Sequence, residues 1–158
     1  MIDDAQYEKI RQDSHVWYKN QSPVNSPALN QLVYFTAEAF EHTKYKRARA
    51  ERDKPSQIMR LKMLPRAFRL IELSTTIQEY EEIVKVVSVK RRKKRVHQSK
   101  QIQYWGLIAI IENRKIKVIL RKIGNGQLQF WSIIPAWTTN KYRDTKFVST
   151  MKGLPEED

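Results

Sequence analysis

The strongest constraint on the fold lies in the second half of the chain. Three β-branched or apolar segments, Tyr104 to Ile111, Lys115 to Ile123 and Gln127 to Ile134, follow one another there with little between them. Asn113-Arg114 and Asn125-Gly126 read as tight turns, and Asn-Gly between alternating apolar residues is a strong hairpin signal. With Ile83 to Val89 ahead of them, these segments predict an antiparallel meander. Two-residue loops would pair Glu112 with Lys115 and Gly124 with Gln127, and side-chain alternation then assigns each residue to a face. One face collects Trp105, Leu107, Ala109, Ile111, Ile116, Val118, Leu120, Trp131 and Ile133, a surface for helices to pack on. The other collects Tyr104, Gly106, Ile108, Ile110, Lys115, Lys117, Ile119, Arg121, Phe130 and Ser132. Cations for phosphates interleaved with rings for bases suit a nucleic-acid platform; ordinary second-face packing under a loop would use the same rings.

The first half reads differently. Residues 1–30 are polar, punctuated by Ser22-Pro23 and Ser26-Pro27, and predict an arm with a short helix near Tyr7. Thr36 is a good N-cap for a helix from Ala37 to about Arg49, which would set His42, Lys46 and Arg49 on one face. A second helix starts near Pro55 and carries Ile58, Leu61, Leu64, Phe68 and Ile71 as its apolar stripe, with Arg60 off it and Pro65 dividing or kinking it. Glu79, Glu81 and Glu82 fit a helix end. The expected class is α+β, with N-terminal helices packed on one face of a three- to four-stranded antiparallel sheet. Residues 31–148 form the one domain and 149–158 a short tail.

Charge narrows the function. Lys and Arg number 30 against 17 Asp and Glu, a net charge of +13, in the range that favours polyanions. Ten of the cations fall between Lys44 and Arg69, and eight between Lys85 and Lys100, where no acidic residue occurs. Six in a row, Lys90 to Arg95, predict an exposed hairpin or loop. The chain has no cysteine, which excludes disulfides, thiol nucleophiles and cysteine-ligated metals. The N-terminus lacks an export signal and the longest apolar run is too short for a membrane span, so a cytoplasmic protein without membrane contact is expected. P-loop, His-Glu-x-x-His and Gly-x-Ser-x-Gly motifs are missing, and no cofactor or metal is expected.

The chemistry that remains is acid–base work on phosphates. Of three histidines, His15 and His97 read as surface residues, whereas His42 sits beside the densest positive block. Cleavage of RNA needs a base for the 2′-hydroxyl and cations for the phosphate. His42, Arg60, Arg121, Lys117 and Ser132 are of those types. Lys46, Arg49, Lys115, Lys117, Tyr104, Phe130, Arg91, Arg92, Lys93 and Lys94 are the candidate nucleic-acid contacts.

Across about residues 33–139 the chain resembles the phage- and plasmid-associated members of the barnase, EndoU, colicin and RelE-like (BECR) group of nucleases. The likeness rests on Phe40-Glu41-His42-Thr43-Lys44, on the stretch from Gln57 to Leu64, and on the strands with Tyr104-Trp105-Gly106, Lys115 to Arg121 and Phe130 to Pro135. The resemblance implies metal-independent RNA cleavage at His42, Arg121 and Ser132, with Thr138 as a further position. It also implies a toxin acting on RNA, transfer RNA included, and restrained by an acidic antitoxin or immunity protein. The insertion from Lys90 to Lys100 has no place in that pattern. A non-catalytic nucleic-acid-binding protein or regulator, and a protein whose basic surface docks on an acidic partner, remain open on the same residues.

Overall fold

A computed structural model describes residues 2–46, 49–134 and 149–150. The first thirty residues hold a long helix rather than an arm: α1, Asp4–Lys19. Asp3 and Gln6 close a capping box, satisfying two first-turn N–H groups reciprocally. Only Tyr7 and Tyr18 are buried along it, so its apolar signal is thin. Their hydroxyls tie it down, Tyr7 to the Gln57 side chain and Tyr18 to the Thr36 carbonyl at 2.7 Å.

Two short strands, β1 (Val24–Ser26) and β2 (Gln31–Phe35), precede α2 (Ala37–His42). Thr36 caps α2 as expected, accepting from the Ala39 N–H at 3.2 Å, but the helix ends at His42 instead of reaching Arg49. Beyond it the chain folds back, bridging Tyr45 to Glu51 and donating from Arg52 N–H to the Lys44 carbonyl at 2.8 Å. Lys46 and Arg49 therefore sit exposed in a loop, off the helix that was to align them with His42.

Asp53 caps α3 (Lys54–Leu73), with Pro55 in the first turn, where its missing N–H costs nothing. The helix runs through Pro65 undivided. Ile58, Leu61, Leu64, Phe68 and Ile71 are all buried, and so is Arg60.

Among the described residues the sheet has seven strands in the order β1-β2-β6-β5-β4-β3-β7, more than the three or four expected. Added to β1 and β2 are β3 (Glu79–Arg91), β4 (Lys94–Ile111), β5 (Arg114–Ile123), β6 (Gln129–Ile134) and β7 (Ser149–Thr150). Pairing is antiparallel except for β2 with β6 and β3 with β7. The extra strands are two to five residues long, too short to show a period. Glu79, Glu81 and Glu82 lie in β3, not at a helix end, and Ser149–Thr150 join the sheet where a tail was expected. Thr138 and residues 151–158 lie outside the described residues.

The β4–β5 turn is Glu112-Asn113, both at positive φ (52° and 63°), with Ile111 opposite Arg114. That register slips by two residues from the expected one, an even number, so every face assignment on β4 and β5 survives. On β6, Ile119 opposes Ser132 and Lys117 opposes Ile134 as expected, but a bulge then sets Leu120 opposite Phe130. Phe130 accordingly joins the aliphatic face, fully buried 5.7 Å from Phe35. Buried residues of α1, α3 and both sheet faces form one cluster, and α3 touches β1, β4, β5 and β6.

An ion pair lies inside this sheet. Lys117 Nζ, 2% exposed, meets Glu79 Oε2 at 3.2 Å, and Gly106 supplies the room: a Cβ there would stand 3.0 Å from Glu79 Cβ. Breaking one partner of a buried pair costs about 3–5 kcal/mol. Glu79→Ala is therefore expected to lower the unfolding free energy by about 3 kcal/mol in urea titrations, and Gly106→Ala by about 1–2 kcal/mol through crowding of Glu79.

Candidate functional site

Three consecutive residues of β6, Trp131-Ser132-Ile133, gather side chains from three distant parts of the chain. The bulge is what makes this possible. Trp131 is the extra residue on β6 at the register shift, and its indole turns to the cationic side. There Arg121 Cζ lies 3.7 Å over the ring, and the His42 imidazole stacks on it at 4.2 Å with planes 20° apart. Arg60, reaching from the second turn of α3, donates from Nη1 to Ser132 Oγ at 3.1 Å and to the Ile133 carbonyl at 2.8 Å. Of the expected catalytic residues, His42 and Arg121 thus share one indole, and Arg60 and Ser132 share a hydrogen bond. Trp131, which joins the two pairs, was expected on the aliphatic face instead.

Each group has a defined electrostatic setting. Arg52, buried like His42, donates from Nε to the His42 carbonyl at 3.0 Å and approaches His42 Nε2 with Nη2 at 3.2 Å. A guanidinium has only donors, so the contact requires a lone pair on Nε2 and puts the proton of a neutral ring on Nδ1. Arg52 was missed by sequence reasoning, because no spacing rule links it to His42 across the fold-back loop. Arg121 Nη2 donates to Glu38 Oε2 at 3.1 Å and to Gln129 Oε1 at 3.2 Å. Its Nε has no hydrogen-bond partner among the described residues. The Glu38 side chain is 66% exposed, so Arg121 is covered on its outer side by a carboxylate that solvent already reaches.

The expected flat platform of rings and cations is not exposed. Tyr104, Phe130 and Lys117 are buried to 1%, 0% and 2% exposure, and Lys117 is engaged by Glu79. Lys115 is partly buried. The remaining candidate contacts separate from the His42 cluster: Lys46 and Arg49 lie in the loop after α2, with Arg49 Cζ 5.1 Å over Tyr45. Arg91, Arg92, Lys93 and Lys94 lie exposed at the end of the β3–β4 hairpin. His15 is an exposed residue stacked on Phe40 at 4.7 Å, and His97 is exposed.

Among the described residues no three His, Asp or Glu side chains gather in a way that would hold a metal ion, and no helix is long and apolar enough to cross a membrane. Compared with protein families, curated proteins and solved structures, the chain matches none.

The Arg52 contact fixes an expectation for the imidazole. Nitrogen-detected NMR on labelled protein at neutral pH is expected to show His42 Nε2 as the unprotonated nitrogen, and Arg52→Met to move the ring toward a mixture of tautomers. An Nε2–H signal in the unsubstituted protein would contradict the arrangement.

Proposed function

We propose that the chain is a metal-independent endoribonuclease of the BECR type. The observation that carries the reading is the meeting of His42, Arg121, Arg60 and Ser132 around Trp131, from positions up to ninety residues apart. In this reading a phosphodiester enters beside Arg121 and displaces the exposed Glu38 carboxylate. His42 takes the proton of the 2′-hydroxyl, the 2′-oxygen bonds to phosphorus, and the 5′-oxygen leaves and is protonated from water. The products are a 2′,3′-cyclic phosphate and a free 5′-hydroxyl. Arg121 and Arg60 stabilise charge on the pentavalent phosphate, and Ser132 orients it. Fixed cations in a water-poor setting are worth more than in bulk solvent and need no reorganisation as charge develops. The substrate is RNA, transfer RNA included, and the activity is that of a toxin held by an acidic antitoxin or immunity protein. A groove lined by Ile58, Met59, Met63, Lys62 and Arg114, with Lys54 paired to Asp4 and Arg66 to Glu112 at it, is a candidate seat for such a partner.

A second reading, a non-catalytic nucleic-acid-binding protein, is favoured by the Arg52 contact, which occupies the nitrogen best placed to act as a base. Purified protein incubated with total RNA and transfer RNA in excess EDTA separates the two. Cleavage is expected to survive EDTA and to fall by about 10²–10⁴-fold or more in His42→Ala. Binding without cleavage in both proteins would leave the second reading in the lead.

Glu38 supplies a further check. With the carboxylate partner mostly exposed, solvent screens its pair with Arg121 toward the surface value of about 0.2–1 kcal/mol. Glu38→Gln is therefore expected to lower KM for RNA about two- to fivefold with kcat unchanged, and a raised KM would place the phosphate elsewhere.

A further inference from the structure

The longest hairpin of the fold leaves the sheet. β4 keeps β5 as a neighbour only as far as Ile102 opposite Ile123. From Val84 opposite Gln101 to Arg91 opposite Lys94, the ladder partners of β3 and β4 are each other among the described residues, with the Gly124 N–H donating to the Gln101 carbonyl at the base. Eight successive pairs at about 3.4 Å each make an arm about 25 Å long. It closes in a two-residue turn with Arg92 and Lys93 both at positive φ, 46° and 67°, the geometry whose twist matches paired strands. Val84, Val86 and Val96 on it are 74%, 61% and 44% exposed, so the arm takes its strand character from β-branched residues and not from a core of its own.

Its charges are arranged against its own stability. Lys90 stands directly opposite Arg95 and Arg91 opposite Lys94, and like charges directly across an antiparallel pair repel. No Asp or Glu occurs in the sequence between Glu82 and Glu112. An isolated two-stranded ribbon is already marginal in water. Two adjacent like-charge pairs beside the turn, one on each face, suit a polyanion that removes the repulsion.

The distribution of those cations selects among polyanions. Alternation puts Lys90 and Arg95 on one face of the ribbon, Lys85, Lys100, Arg91 and Lys94 on the other, and Arg92 and Lys93 at the tip. A ribbon charged on both faces fits between two phosphate strands better than along one. Single strands are held by rings that stack on bases, and no Phe, Trp or Tyr occurs between Tyr80 and Tyr104. We propose that the β3–β4 ribbon is an arm that inserts between the phosphate strands of double-helical RNA. The RNA presented to the His42 site is then structured, with a duplex stem beside the cut. The substrate class rests on the ribonuclease reading; the grip itself does not.

Fluorescence anisotropy with the full chain tests this on 2′-O-methyl RNA, which lacks the attacking hydroxyl, so that cleavage cannot enter the measurement. A 20-base-pair RNA duplex is expected to bind about tenfold or more tighter than the single strand of equal length, with steep salt dependence. Replacing Arg91, Arg92, Lys93 and Lys94 by Gln is expected to weaken duplex binding about a hundredfold at 0.1 M salt and to reduce the log–log salt slope by about 3. The melting temperature of that variant is expected at or above the unsubstituted value, because a like-charge pair is gone. Equal affinity for the single strand, preference for a DNA duplex over RNA, or unaltered binding by the four-residue variant would each overturn the proposal. Duplex binding without cleavage of any natural RNA would overturn the ribonuclease reading and leave the arm standing.

Discussion

A bulge one residue long organises the centre of this molecule. Between Ile119 opposite Ser132 and Leu120 opposite Phe130, β6 carries Trp131 as an extra residue. Strict alternation would have sent Phe130 to the cationic side and Trp131 to the aliphatic side. The bulge reverses both, giving the core a phenyl ring against Phe35 and giving the opposite side an indole. An indole there is what a guanidinium and an imidazole can both pack against, since its faces are electron-rich and its area is large. Without the bulge, His42 and Arg121 would have no common surface. Bulges recur where a side chain must be re-aimed, and here the re-aimed residue joins α2, β5 and, through its neighbour Ser132, α3.

The cationic side of the sheet is consequently an interior and not a platform. Arg60, Arg121, Lys117 and His42 are each less than a tenth exposed, and burying a charge is costly unless it is paired and hydrogen-bonded. The fold meets that demand with specific partners: Glu79 for Lys117, Glu38 and Gln129 for Arg121, Ser132 and a main-chain carbonyl for Arg60. These partners are not equivalent. Glu79 is buried with its lysine, which makes that pair part of the framework, whereas Glu38 is mostly exposed and its hold on Arg121 is weakened by solvent. The division marks Arg121 as the cation most open to exchange of its partner.

The sequence made some of this legible and hid the rest for identifiable reasons. The apolar stripe of α3 was readable because helical period and Pro55 agreed, and the faces of β4 and β5 were readable because an even register slip leaves alternation intact. The convergence of His42 with Arg121 was expected from the resemblance, not from spacing. The length of α1 was obscured because only Tyr7 and Tyr18 anchor its buried face. The early end of α2 was obscured because Lys44 to Arg49 suit a helix by composition, and only the fold-back to Glu51 and Arg52 stops it. Arg52 beside His42, Glu79 beside Lys117 and the bulge at Trp131 all depend on pairings between segments, which local patterns do not encode. The run from Lys90 to Arg95 was legible as a hairpin tip, but its meaning came only from the register that sets like charge against like.

That ribbon and the His42 cluster embody opposite solutions to the same problem of placing positive charge. In the cluster, cations are buried and each is held by particular acceptors, so geometry is fixed and little is lost to reorganisation when a further charge appears. At the end of the ribbon, Lys90 to Arg95 are exposed, face one another across the ladder and have no acid nearby in sequence. Screening at physiological salt acts over about 8 Å, short beside an arm of about 25 Å, so the tip and the base of the ribbon respond to ligand almost independently. Exposed main-chain hydrogen bonds and few apolar contacts also place the ribbon at the low end of local stability. An element of that kind adapts to the shape of what it meets, while the indole-centred cluster keeps its geometry.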